Sequence, residues 1–119
     1  MVSVVNLAEK LSHITDPWNP RIVAAIGDCH VKLVKLRGEF VWHAHEAEDE
    51  LFLVLEGTLR MRFRDRDVTL GPGELIVVPR GVEHCPVAED EVHVMLLEPG
   101  TTVNTGTAGG DRTREAEWI

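Results

Sequence analysis

The sequence predicts an all-β sandwich or barrel. Short runs rich in β-branched and apolar residues follow one another from Ile22 to Glu98, and glycine, proline or paired acidic and basic turn residues close each of them. Leu59, Met61 and Phe63 also alternate with Arg60, Arg62 and Arg64, the period-2 pattern of a strand with one buried face.

Asn6 to Ile14 is the helical exception: Leu7, Leu11 and Ile14 recur at helical spacing behind an Asn suited to cap the first turn, and Asp16-Pro17-Trp18-Asn19-Pro20 stops it. The predicted strands are then Ile22 to Ile26, His30 to Arg37, Glu39 to His45, Leu51 to Glu56, Thr58 to Arg64, Asp67 to Leu70, Glu74 to Val78, Glu83 to Val87 and Glu91 to Glu98. The breaks fall at Gly27-Asp28, Gly38, Glu56-Gly57, Asp65-Arg66, Gly71-Pro72-Gly73, Pro79-Arg80-Gly81 and Glu89-Asp90. Thr101 to Gly110 is small, polar and glycine-rich, which predicts a flexible linker, and 111–119 has the pattern of one helical turn. The expected organisation is an N-terminal helix and arm over 1–19, a β-barrel over 20–98, and a linker with a C-terminal tail over 99–119.

A chain of 119 residues has room for one hydrophobic core and so for one domain. Its 12 basic and 20 acidic residues leave a formal charge of -8, which disfavours nucleic acid and anionic membranes as partners. No window is long and apolar enough to span a bilayer, and Met1 to Lys10 lacks the features of a secretory signal, so the expected location is cytoplasmic. Cys29 and Cys85 form no CxxC pair and are expected as thiols.

Four residues stand out chemically. His43 and His45, two apart on an extended segment, emerge on one face with backbones roughly 6.5 to 7 Å apart. Glu50 precedes the apolar run Leu51 to Leu55, and His84 follows 34 residues later behind the Pro79-Arg80-Gly81 turn. Three imidazoles and a carboxylate suit Fe, Mn, Ni, Zn or Cu as a divalent ion, whereas Ca and Mg prefer oxygen-only shells. Glu48 is the fallback carboxylate within the acidic Glu46 to Glu50 stretch.

The glycines and prolines around these residues add specificity. The sequence runs Gly38-x4-His43-x-His45-x4-Glu50-x6-Gly57 and then Gly73-x5-Pro79-x-Gly81-x2-His84, which closely resembles the two signature motifs of the cupin superfamily. The match departs in two places: four rather than five residues separate Gly38 from His43, and Ala88 stands where the family motif ends in Asn. The resemblance implies an antiparallel jelly-roll barrel with His43, His45, Glu50 and His84 as metal ligands inside it. It also implies a homodimer, because small single-domain cupins often exchange N-terminal arms.

Strand parity assigns Val41 and His43 inward, Phe40 and Trp42 outward, and predicts a pocket lined by Phe52, Val54, Met61, Phe63, Ile76 and Val78. If Glu50, Phe52 and Val54 face the metal, Leu51, Leu53 and Leu55 need cover from a second layer or a second subunit. Cys85 is expected as a core thiol, and His93 as a satisfied structural histidine. Arg60, Arg62 and Arg64 are expected to pair outward with acids.

The expected function is a metal-binding monocupin, a metalloenzyme of dioxygenase-like type in which a small molecule chelates the ion. A non-catalytic binding or sensing module is the alternative. A sugar-phosphate isomerase is a third, with Arg80 as its phosphate-binding cation. No general base beyond the ligands is evident on the inner faces.

Overall fold

The computed structural model describes residues 2–119. One short helix, α1 (Leu7–Ser12), precedes eight strands: β1 (Arg21–Ile26), β2 (Cys29–Glu39), β3 (Glu50–Glu56), β4 (Leu59–Phe63), β5 (Asp67–Leu70), β6 (Leu75–Val78), β7 (His84–Pro99) and β8 (Glu117–Trp118). The Asn6 side chain caps α1 by accepting from the Glu9 amide at 3.0 Å. The strands form one hydrogen-bonded network ordered β5-β4-β7-β2-β1-β8, with β3 joined to β7 and to β6. All pairings are antiparallel except that of β8 with β1. The result is a jelly-roll β-sandwich.

The sixteen-residue β7 holds the two layers together. Its first half pairs with β4 from His84 to Val87, and its second half with β3 from His93 to Leu97, while β2 follows it along both. The sequence placed a break at Glu89-Asp90, but the strand runs through. Ala88 pairs with Gly38 and Val92 with Leu36, so the three exposed residues 89–91 are absorbed as an irregularity opposite the single Arg37. Gly38, at φ +86°, belongs to this irregularity and lies within β2 rather than ending it.

A second correction concerns Glu39 to His45, which is not a strand. Only Glu39 continues β2, and His43 makes a single antiparallel bridge to His84.

Alternation along β2 separates two cores. Val34 and Leu36 join Phe52, Val54, Leu59, Met61, Val78, Val94 and Leu96 between the layers. Leu33 points outward and meets Val23, Leu11 and Ile14, so α1 lies against the outer face and also covers Leu55 and Met95. Leu51 and Leu53 remain half-buried, and their cross-strand partners Val77 and Leu75 are 53% and 55% exposed.

The C-terminal segment folds back onto the sandwich. Thr105 is fully buried, the Thr107 amide donates to Ala44 O at 2.9 Å, and the Thr107 hydroxyl accepts from the Ala44 amide at 3.1 Å. Where the sequence suggested a helical turn over 111–119, Glu117 and Trp118 pair with Arg21 and Ile22.

Gly57, in the β3–β4 turn, has φ +86°, and a Cβ there would meet Glu91 O at 2.8 Å and the Val92 Cα at 3.2 Å. Gly57→Ala is expected to destabilise the fold by about 2 kcal/mol or more, read as a lower denaturant midpoint. Gly73→Ala, at φ +83° but in open space, should cost only about 1 kcal/mol.

Candidate metal centre

The four candidate ligands come from three separate parts of the chain. His43 and His45 lie on the connection after β2, Glu50 opens β3, and His84 opens β7. Reciprocal backbone hydrogen bonds tie His43 to His84, 3.0 Å from His43 N to His84 O and 2.9 Å in reverse. On the other side the Gly81 amide donates to His45 O at 2.9 Å, which seats the Pro79-Arg80-Gly81 turn against the histidine segment. All four side chains are buried, and one ligand atom from each falls within 4.8 Å of the others. That spacing suits a single ion with bonds of about 2.0 to 2.2 Å.

Proton placement supports the same conclusion. His43 Nδ1 lies 2.8 Å from Val41 O and His84 Nδ1 lies 2.9 Å from Val82 O. A carbonyl can only accept, so each Nδ1 carries the proton and each Nε2 presents a lone pair inward. His45 Nε2 and His84 Nε2 both stand 3.4 Å from Glu50 Oε1, and all three atoms lack a hydrogen-bond partner. The His84 lone pair packed against a buried carboxylate oxygen is repulsive unless a cation sits between them. The donor set and its orphaned atoms therefore fit a divalent transition metal.

Burial, aided by the neighbouring His84 and His45 rings, lowers the pKa of His43 to about 4, so it is neutral near pH 7 as a ligand must be.

A cavity of about 40 Å³, or about 420 Å³ with its solvent-open mouth included, leads to His43 and Glu50. Its walls include Trp18, Phe40, Phe52, Val34, Leu36 and Leu96, with Glu98 and Asn104 as further polar members. Of the expected pocket residues, Phe52 lines this space. Val54, Met61 and Val78 are buried in the adjoining core, with Phe63 and Ile76 packed against it. Phe40 was expected outward. Because 40–45 is not a strand, its ring instead turns in, 4.6 Å from Trp18 in a stack and 5.5 Å from His43 edge-on. Trp42 does face outward, beneath Arg64 at 3.8 Å.

Trp18 is held at φ +59°, an unfavourable backbone for a bulky residue, by its Nε1 hydrogen bond to Arg37 O at 2.8 Å and its amide bond to Lys35 O at 2.9 Å. The guanidinium of Arg112 lies over Phe40 at 4.7 Å and Trp18 at 5.4 Å and donates to Glu39 O at 2.9 Å. The C-terminal segment thus forms part of the mouth.

Sequence inspection missed a buried pair that adjoins Glu50. Lys32 and Glu98 are 4% and 2% exposed, with Lys32 Nζ 2.9 Å from Glu98 Oε1. The Glu98 carboxyl adjoins that of Glu50. Burial, together with Glu50, pushes Glu98 up, and Lys32 opposes this. The signal was present, since Lys32 shares the inward parity of Val34 and Leu36, and Glu98 that of Val94 and Leu96.

Other candidates resolve away from the site. Arg80 is exposed and engages Asp49. Glu48 accepts from the Thr101 hydroxyl, and His93 contacts Glu91 and Glu56. Arg60, Arg62 and Arg64 pair with Asp67, Glu39 and Glu83. Cys85 is a buried thiol and Cys29 is free.

Gly106 approaches so closely that an added Cβ would fall 2.2 Å from Ala44 O. Gly106→Ala is expected to lift the C-terminal segment from the mouth, seen as faster limited proteolysis within 101–119 while the β-rich circular dichroism persists.

Comparison with known proteins agrees with this architecture. Residues 30–100 match the Cupin domain family. A cupin-2 domain containing protein from Shewanella frigidimarina has 49% identity and a TM-score of 0.80, over 81% of this chain and 94% of its own. NMB1881 from Neisseria meningitidis has 34% identity and a TM-score of 0.75, over 82% and 99%. The uncharacterized protein YdbB of Bacillus subtilis is 36% identical over 63 residues, which are 52% of this chain and 56% of YdbB, so the match spans little more than half of that relative. With a family match over more than half its length, a jelly-roll sandwich and a buried His-His-Glu-His cluster inside it, the chain belongs to the cupin family.

Proposed function

We propose that this cupin binds one divalent transition metal, Fe, Mn, Ni, Zn or Cu, through His43, His45, Glu50 and His84, and that a small oxygen-rich molecule chelates it inside the sandwich. The carrying observation is the convergence of unpartnered His45 Nε2, His84 Nε2 and Glu50 Oε1 in a buried site. An ion so held supplies Lewis acidity and, when six-coordinate, leaves two positions for ligand oxygens. The protein orients the imidazoles through Val41 O and Val82 O, and the apolar walls exclude water from the bound molecule.

The enzymatic form of this function is dioxygenase-like, with a chelating substrate. A binding or sensing module is the second reading, favoured by the scarcity of proton-transfer groups: Glu98 is the one titratable lining side chain outside the quartet among the described residues. A sugar-phosphate isomerase finds less support, because among the described residues Arg112 reaches only the rim, where it covers Phe40 and Trp18, and Arg80 is engaged with Asp49. Oxygen uptake with Fe(II) and diketone-like substrates separates the first reading from saturable binding without product.

We further infer a homodimer. The outer face of β3, β6 and β7 presents Leu51, Leu53, Leu75, Val77 and Leu97 side by side, and Val2 and Val4 of the arm are 100% and 97% exposed. A second copy related by two-fold symmetry covers an apolar face with its own equivalent.

His45→Ala and His84→Ala should each reduce bound metal from about one equivalent per chain to a small fraction, by elemental analysis of untagged protein, with β-rich circular dichroism retained. His93→Ala should keep full metal content. Light scattering should give twice the 13.3 kDa chain mass, falling to that of one chain in Val77→Glu.

A further inference from the structure

Three of the buried polar atoms without a partner belong to the metal quartet, but Glu98 Oε2 does not. Glu98 is 2% exposed, lines the cavity and adjoins Glu50, yet lies outside the set of atoms that can share one ion. Its other oxygen is occupied by Lys32 Nζ at 2.9 Å, in a pair buried on both sides. The ammonium holds one oxygen and leaves the second without a hydrogen bond, in a side chain that lines the cavity. A buried carboxylate oxygen with no donor is costly, so this one calls for a partner that arrives with a ligand.

We propose that Glu98, held by Lys32, is a specificity-determining residue: Oε2 accepts a hydrogen bond from the hydroxyl of a small α-hydroxy acid that chelates the metal. This rests on the metal-binding function above and adds the class of molecule bound. A divalent ion bound by Glu50 keeps one net positive charge, which favours an anionic chelator. An α-hydroxy carboxylate offers one carboxylate oxygen and one hydroxyl oxygen to the two open positions. Coordination makes the retained hydroxyl proton a stronger donor, and Glu98 is the acceptor beside it. Val34, Leu36 and Leu96 accept the rest of a small, largely apolar body.

The test uses the full chain loaded with Co(II), whose visible absorption reports coordination, titrated with glycolate and with methoxyacetate. Both offer the same two oxygens, but only glycolate carries the proton. Wild type is expected to prefer glycolate about tenfold or more beyond the preference of aqueous Co(II), as a hydrogen bond to a charged group implies. Glu98→Gln should bring that excess close to unity with unchanged Co(II) content. An equal excess in wild type and Glu98→Gln, no excess in wild type, or failure of the loaded protein to bind glycolate would overturn the role of Glu98. If Glu98→Gln does not fold, the wild-type excess over aqueous Co(II) decides the matter alone. Failure of wild type to take up Co(II) would instead remove the metal site itself, and the inference with it.

Discussion

Everything near the cavity depends on one electrostatic constraint: imidazole nitrogens and a carboxylate are packed together in a buried site without hydrogen-bond partners. His45 Nε2, His84 Nε2 and Glu50 Oε1 make no hydrogen bonds, an arrangement that costs stability unless a cation converts mutual repulsion into attraction. The remaining architecture keeps the rings from turning away. Val41 O and Val82 O fix the imidazole protons on the far side, and the reciprocal His43–His84 backbone bonds hold the two segments in register. Stability is spent here on holding four buried polar side chains in place.

The same geometry explains why the cavity wall is assembled from distant pieces. Trp18 comes from the connection after α1, Phe40 from the end of β2, and Arg112 from the C-terminal segment, yet they stack at one mouth. Such a stack hides apolar rings while the guanidinium remains wet at its rim. Beneath it, Lys32 and Glu98 form an ion pair whose desolvation is offset only by their close contact and by whatever the free oxygen binds. The polar equipment of the cavity is therefore two carboxylates at different tasks. Glu50 stands among the imidazoles, and Glu98 is paired with Lys32.

Strand alternation links the interior to the outer surface. Placing Glu50, Phe52 and Val54 inward necessarily sends Leu51, Leu53 and Leu55 outward. The helix α1 covers Leu55, whereas Leu51 and Leu53 continue into exposed Val77 and Leu75. An apolar strand with both faces occupied is thus the common origin of the cavity and of the outer patch.

The strands were legible in the sequence for local reasons, and the clustering of His43, His45, Glu50 and His84 through a spacing that resembles the cupin motifs. Alternation in Leu59 to Arg64 reflects one buried face, and the glycines and prolines around His43, His45, Glu50 and His84 mark turns that only those residues make easily. What needed the tertiary structure was non-local. The residues from Phe40 to His45 have strand-like composition but make only the single His43–His84 bridge, and so Phe40 turns inward against its expected parity. The break expected at Glu89-Asp90 disappears because β2 supplies hydrogen bonds on both sides of it. Lys32 and Glu98 sit 66 residues apart, and their parities become meaningful only once β2 and β7 are in register. Period-2 patterning determines which face a side chain takes relative to its neighbours. Which partner waits on that face is set by strand pairing, and pairing depends on contacts that the local pattern does not encode.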